Sequence, residues 1–181
     1  DAVRAAKPDF IAITGDLADE DTALPSLRPL LAGLTALAPV YYVTGNHEWV
    51  ISRAVRQTLC DLLDGYGVIR LENDYRVLER DGQRLVIAGV DDPNGPADQK
   101  TAPELIREIR SAYGEDVFIL ALCHRNDQLP LWAGLDVPVV LAGHAHGGIW
   151  RLPFTDGLID TTLTLFPSFT SGFYHCTDEN C

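Results

Sequence analysis

Four apolar runs of the chain each end in a cluster of residues able to bind a metal ion or handle a proton. FIAIT (10–14) leads into Gly15-Asp16-Leu17-Ala18-Asp19, and VYYVT (40–44) into Gly45-Asn46-His47-Glu48. VFILAL (117–122) leads into Cys123-His124, and PVVLAG (138–143) into His144-Ala145-His146-Gly147-Gly148. Four of the five histidines fall at these points. Carboxylate, amide oxygen and imidazole together make a donor set of intermediate hardness, suited to Mn, Fe or Zn more than to Ca, and no thiolate cluster suggests a structural zinc. A carboxylate shared between two cations about 3.5–4 Å apart would let them clamp a phosphoryl oxygen and turn bound water into hydroxide near neutral pH. That chemistry is phosphoester hydrolysis. One histidine after a strand is more often a hydrogen-bonded loop residue, and Gly-Asp is ordinary turn chemistry; the inference rests on four such sites recurring at strand ends.

The elements that must carry these residues follow from the pattern. The four runs are apolar throughout rather than alternating, which predicts strands covered on both faces. Helices are predicted at about 24–37, 51–65 and 102–113, the last opened by Thr101 as cap with Pro103 in its first turn. RVLER (76–80) and RLVIAGV (84–90) flank Asp81-Gly82 and read as a hairpin. The expected fold class is α/β, a layered sandwich of mixed sheets flanked by helices. In such sheets ligands bind beyond the carboxyl ends of the strands, where all four clusters lie.

With 181 residues the chain suits one domain, residues 1–181. Its 14 basic and 26 acidic residues give a net charge of −12, which repels nucleic-acid backbones and argues against general nucleic-acid binding. No run of 18 or more apolar residues is present, so no transmembrane segment is expected; the chain as it stands reads as soluble, cytoplasmic or peripheral at a membrane. Four cysteines without a CxxC pair do not read as a disulfide framework. There is no Gly-x-Ser-x-Gly elbow, Walker loop or dinucleotide fingerprint, which removes covalent serine hydrolases, kinases and dehydrogenases. The chain has no Met and opens on AVRAAK before Pro8, which reads as the end of a helix. A natural N-terminal piece is therefore expected to be missing.

GDLAD, GNHE, a histidine after an apolar strand and GHAHGG, in this order, resemble the calcineurin-like metallophosphoesterases. GHAHGGIWRLPF (143–154) is similar to the bacterial branch whose last motif reads GHTHGGQ followed by RLPF, and IAGVDD (87–92) is similar to it too. The resemblance covers about residues 7–174. It implies that Asp16 bridges two divalent metal ions, with Mn first and Fe, Zn or Mg as alternatives. Asn46, His124 and His144 would complete the second site, and His146 would belong to the first. His47 resembles the family's catalytic histidine, which protonates the leaving oxygen, with Asp19 holding it. The family's opening Asp-x-His strand has no counterpart before GDLAD, and the family usually continues with further strands past this C-terminus. A domain truncated at both ends is therefore expected, with a first metal site that is weak or empty. Ala145, Ile149 and Asn126 stand where the family more often has Thr, Gln and Pro.

The implied activity is a metal-dependent phosphoesterase acting on diesters or pyrophosphate-type bonds of a small phosphoester. The alternative is a binding or scaffold protein that keeps the fold without the chemistry. His175 is expected at the surface or in packing, and Cys123 as a small buried side chain rather than a ligand. Trp49, Trp132 and Trp150 lie near the motifs and are expected in the core or walling the crevice. LPFTDGLIDTTLTLFPSFTSGFY is unusually apolar for a loop; it suits a lip for a lipid-like phosphoester, or packing on further strands, which is the reading preferred.

Overall fold

A computed structural model describes residues 2–151, 157–159 and 163–176. The strands predicted from apolar runs are β1 (Ile11–Thr14), β2 (Val40–Val43), β6 (Phe118–Leu122) and β7 (Val139–Leu141). The expected hairpin is β4 (Asp74–Arg80) and β5 (Gln83–Gly89), paired antiparallel in continuous register from Asp74 opposite Gly89 to Arg80 opposite Gln83. A two-residue strand, β3 (Ile69–Arg70), follows β2 in the sheet.

Two sheets result. The order β1-β2-β3 is wholly parallel, whereas β4-β5-β6-β7 is mixed, with β4 antiparallel to β5 and the remaining pairs parallel. A small ribbon of β8 (Trp150–Arg151) and β9 (Gly157–Ile159) follows. Within the C-terminal apolar stretch, residues 152–156 and 160–162 lie outside the described residues. Of its described apolar side chains, Leu163, Leu165 and Phe166 are exposed at 77%, 62% and 77% rather than packed, against the preferred expectation.

The helices differ from expectation where proline and capping intervene. The span 24–37 divides into a 3₁₀ turn at Leu24–Leu27 and α2 (Arg28–Thr35), because Pro29 has no N–H and is accommodated only in a helix's first turn. The span 51–65 begins later, as α4 (Arg53–Gly65), with Ser52 Oγ accepting the Val55 N–H as cap. Ahead of it stands a separate short helix, α3 (Asn46–Val50), ended by extended Ile51. α5 (Ala102–Tyr113) starts as expected, with a reciprocal capping box between Thr101 and Glu104. Short α1 (Ala2–Ala6) and α6 (Leu129–Gly134) complete the set among the described residues.

Three apolar clusters explain why the strands lack alternation. Val40 and Tyr42 pack with Leu31 of α2 and Leu59 and Leu63 of α4. Val86, Ala88, Ile119 and Ala121 pack with Leu105, Ile106 and Ile109 of α5 and Trp132 of α6. The opposite strand faces, Tyr41 and Val43 with Ile87 and Leu122, meet around Leu71. The layers therefore run helix, sheet, sheet, helix; β2 and most of β5 and β6 bury both faces, whereas β4 and β7 keep exposed residues. Among the described residues no helix is long and apolar enough to cross a membrane.

Leu105 is fully buried beneath α5. Leu105→Ala is expected to cost about 2–5 kcal/mol and Thr101→Ala about 1 kcal/mol, read from urea unfolding midpoints at unchanged slope.

Candidate metal centre

Three of the four motif loops line an open crevice of about 370 Å3 beyond the strands' carboxyl ends, with Asp16, His124, His144, His146 and Thr170 among its walls, and Asn46 of the fourth loop reaches His124 beside it. Its backbone is unusual. Asp16, His144 and His146 have φ of 53°, 64° and 53°. These values lie in the left-handed region that few residues other than glycine occupy. Such conformations persist only where surrounding contacts impose them. Gly15 and Gly45 let the β1 and β2 loops touch: a Cβ on Gly45 would collide with Asp16 Oδ1, and one on Gly15 would lie 2.5 Å from the Gly45 nitrogen. Only glycine permits so close an approach.

Those two loops are held together by Glu48, which is fully buried on α3. Its Oε2 accepts the N–H groups of Asp16 and Gly45 at 3.0 and 2.7 Å, and its Oε1 those of Leu17 and Ala18 at 2.6 and 3.1 Å. Four backbone donors that leave the strands unpaired are thereby satisfied by one side chain. In the sequence, Glu48 stands within GNHE with no role of its own. Its position three residues after Gly45, at the start of a helix, is that of the glutamate half of a capping box, which reaches back to the N-cap N–H, and this could have revealed it.

His124 is the centre of the site. Its Nδ1 donates to the Thr14 carbonyl at 2.7 Å. That bond turns Nε2 toward the crevice. Nε2 lies 3.1 Å from each of Asp16 Oδ2, Asn46 Oδ1 and His144 Nδ1. One ring nitrogen cannot make full hydrogen bonds to all three at once. Two atoms ligating one ion at about 2.1 Å lie about 3.0–3.4 Å apart, so these separations fit a shared divalent cation. Asp16, His124 and His144 offer ligand atoms within 4.8 Å of one another.

The electrostatics reflect that crowding. Burial alone would raise the Asp16 carboxyl, but hydrogen bonds from His124 and the His47 N–H, with the charges of both imidazoles, hold it at about 2. Burial lowers His124, yet its bonds to Asp16 and Thr14 and the charges of Asp16 and Asp92 outweigh it and push the ring upward. His144 is pushed down by burial and by the charges of Arg125 and His124. Burial drives the Cys123 thiol up to about 12, so it stays neutral beside the site.

The remaining sequence-derived residues fall in different places. Asn46 begins α3 and faces His124, as given above. His47, half-exposed at its side chain, has Nε2 3.8 Å from Asp16 Oδ2, and its backbone N–H donates to Asp16 Oδ1 at 3.0 Å. Asp19 is not hydrogen-bonded to His47; its Oδ1 accepts from Thr22 Oγ1 at 2.5 Å and the Asp21 N–H at 3.1 Å. His146 lines the crevice but stands outside the close Asp16–His124–His144 group. Trp132 is core, Trp150 is exposed, and Trp49 donates to Thr44 Oγ1 beneath the Arg56 guanidinium. His175 is exposed. No sequence signal assigned a role to Arg125, whose Nε and Nη2 lie 2.6 and 3.2 Å from the buried Asp92 carboxylate and whose Nη1 reaches His144 Nε2 at 3.1 Å.

A larger groove, of about 1120 Å3, lies at the strands' opposite ends around Phe10, Leu78, Gln83 and Phe118. Among the described residues it holds no comparable group of ligand atoms.

Glu48→Gln turns an N–H₂ toward backbone donors and is expected to cost about 2 kcal/mol in urea unfolding. In EDTA-treated protein, imidazole NMR titration is expected to place His124 above the ordinary 6.5 and His144 below it. The stability that His124 contributes to the metal-free fold is then complete below 6.5 and lost as pH rises through its folded pKa. The contribution of Asp16 is complete above 3.8 and lost as pH falls toward about 2.

Residues 1–148 match the model of the calcineurin-like phosphoesterase family. The chain is 29% identical over 151 residues to the uncharacterized metallophosphoesterase YkoQ of Bacillus subtilis, covering 81% of this chain and 53% of that protein. It is 24% identical over 155 residues to the phosphodiesterase YaeI of Escherichia coli, covering 81% and 52%. The chain thus spans about half the length of these relatives. Its fold is shared with the sulfate thiohydrolase SoxB of Thermus thermophilus, at a TM-score of 0.52 and 17% identity over 81% of this chain and 32% of that one. With the family match running through every motif from Asp16 to His146, the chain belongs to the calcineurin-like phosphoesterases.

Proposed function

We propose that this chain carries the catalytic centre of a metal-dependent phosphodiesterase built around two divalent-cation sites, with Mn2+ first among the ions; the first site, left with Asp16 and His146, is weak or empty in this chain. The observation that carries the reading is the convergence of Asp16, Asn46 and His144 on Nε2 of His124 at 3.1 Å each, from loops that follow four different strands. Clustered lone-pair donors cost stability unless a cation takes them up, which argues for a site kept for binding. The phosphodiesterase relative supports the choice of diesters.

Asn46, His124 and His144 would hold one cation, His146 would serve the other, and Asp16 would lie between them. When bound, such cations polarise a phosphoryl oxygen and supply hydroxide near neutral pH. The part played by the chain's own residues follows from their placement. His47 has its side chain 46% exposed with Nε2 3.8 Å from Asp16 Oδ2, and its backbone N–H anchors Asp16. Its imidazole is the group that would donate a proton to the departing alkoxide. Asp19 keeps the loop after Asp16 closed through Thr22, whose hydroxyl, with a smaller part from the charge of His47, lowers the Asp19 carboxyl.

Mn2+ at about 100 times its Kd is expected to stabilise the protein by about 2.7 kcal/mol in thermal melts, with the shift reversed by EDTA. His144→Ala should remove most of that shift. His47→Ala should keep it while lowering kcat on bis(p-nitrophenyl) phosphate by about 10²–10⁴-fold. Equal melting with Mn2+ and with EDTA sinks the metal-centre reading, and hydrolysis of the monoester alone sinks the diester choice.

A further inference from the structure

Arg125 follows His124 and is fixed through two of its three nitrogens. Nε and Nη2 are held by Asp92, whose side chain is completely buried. The third nitrogen, Nη1, lies 3.1 Å from Nε2 of His144. An arginine has N–H donors and no acceptor, so this hydrogen bond requires the lone pair of the imidazole to be on Nε2. A neutral imidazole has one lone pair, and in that tautomer Nδ1 carries the hydrogen. Yet Nδ1 is the atom that faces His124 Nε2 at 3.1 Å, on the side of Asp16 and Asn46. Ligation through Nδ1 needs the opposite tautomer, with its N–H on Nε2 pointing at a guanidinium N–H. A metal-bound histidine ordinarily gives that second N–H to a carboxylate, a carbonyl or a water. Here a cationic donor occupies the position.

We propose that Arg125 is a positioning residue that opposes cation binding at the Asp16–Asn46–His124–His144 cluster, by selecting the His144 tautomer that cannot ligate. A cation enters only when Nη1 and Nε2 part, and because Asp92 anchors the guanidinium, that separation is subtracted from the site's affinity. This inference rests on the metal-centre reading given above. It assigns to Arg125 the setting of how tightly, and at what cation concentration, the centre is occupied.

The test is Mn2+ affinity by titration calorimetry on the whole chain, together with ¹⁵N spectra of the imidazoles in metal-free protein. Arg125→Gln removes the charge and supplies a carbonyl that can accept the Nε2–H; it is expected to tighten Mn2+ binding by about tenfold or more. Arg125→Lys retains a cationic donor and should bind like the parent. Since losing Arg125 leaves Asp92 buried and unpaired, the double variant Asp92→Asn/Arg125→Gln is measured beside it and should tighten binding equally. In the parent, the spectra should show hydrogen on Nδ1 of His144, moving to Nε2 in Arg125→Gln. Mn2+ affinity equal or weaker in both glutamine variants overturns the proposal, as does a parent His144 with hydrogen on Nε2. Absence of Mn2+ binding by every one of these proteins overturns the metal-centre reading and this proposal with it, whereas equal binding by all overturns this proposal alone.

Discussion

The structure of the site depends on one buried carboxylate. Glu48 gathers the backbone N–H groups of Asp16, Leu17, Ala18 and Gly45, and so ties the end of β1 to the start of α3. Without that acceptor, several unpaired donors would be enclosed at a strand end, which costs more than the individual bonds contribute. The same contacts set the left-handed turn at Asp16 and bring Gly15 and Gly45 into backbone contact. The acid offered to a cation is thus aimed by an acid that itself faces backbone.

A second polar link joins the two sheets at the same end. Thr44, just past β2, donates through Oγ1 to Asp91 Oδ1 at 2.7 Å, and Asn73 receives the Asp91 N–H and reaches its Oδ2. Burial raises the Asp91 carboxyl, and its bonds to Thr44 only partly offset this. Next to it, Asp92 holds Arg125 against His144. The loops of one sheet are therefore braced on the other, which is what allows ligand atoms from both to be spaced near one another. On the far wall Asn126 donates to the Phe169 carbonyl at 3.0 Å, tying the C-terminal stretch to the loop after His124.

Much of the fold was legible in the sequence because its signals are local. Thr101 with Glu104 marked the start of α5, and Asp81-Gly82 marked the hairpin. Apolar runs without alternation marked β1, β2, β6 and β7 as strands. The division at Pro29 was also written in the chain, but periodicity alone ran through it. The site residues were nameable because Asp, Asn and His follow strands that must end somewhere together.

The sequence by itself determined which groups are available: the side chains able to ligate a cation, the glycines that let the loops touch, and apolar strands. Only the tertiary structure decided which face of each strand meets the helices and which the other sheet, since Tyr41 and Tyr42 are equally apolar neighbours on opposite sides. It also decided that Glu48 binds backbone, that Asp19 turns to Thr22, and that Arg125 stands at His144. These are contacts over separations of up to 32 residues, or choices between competing partners of similar chemistry. Residue type fixes what a group can bond to; distance and direction in the folded chain select the bond it makes.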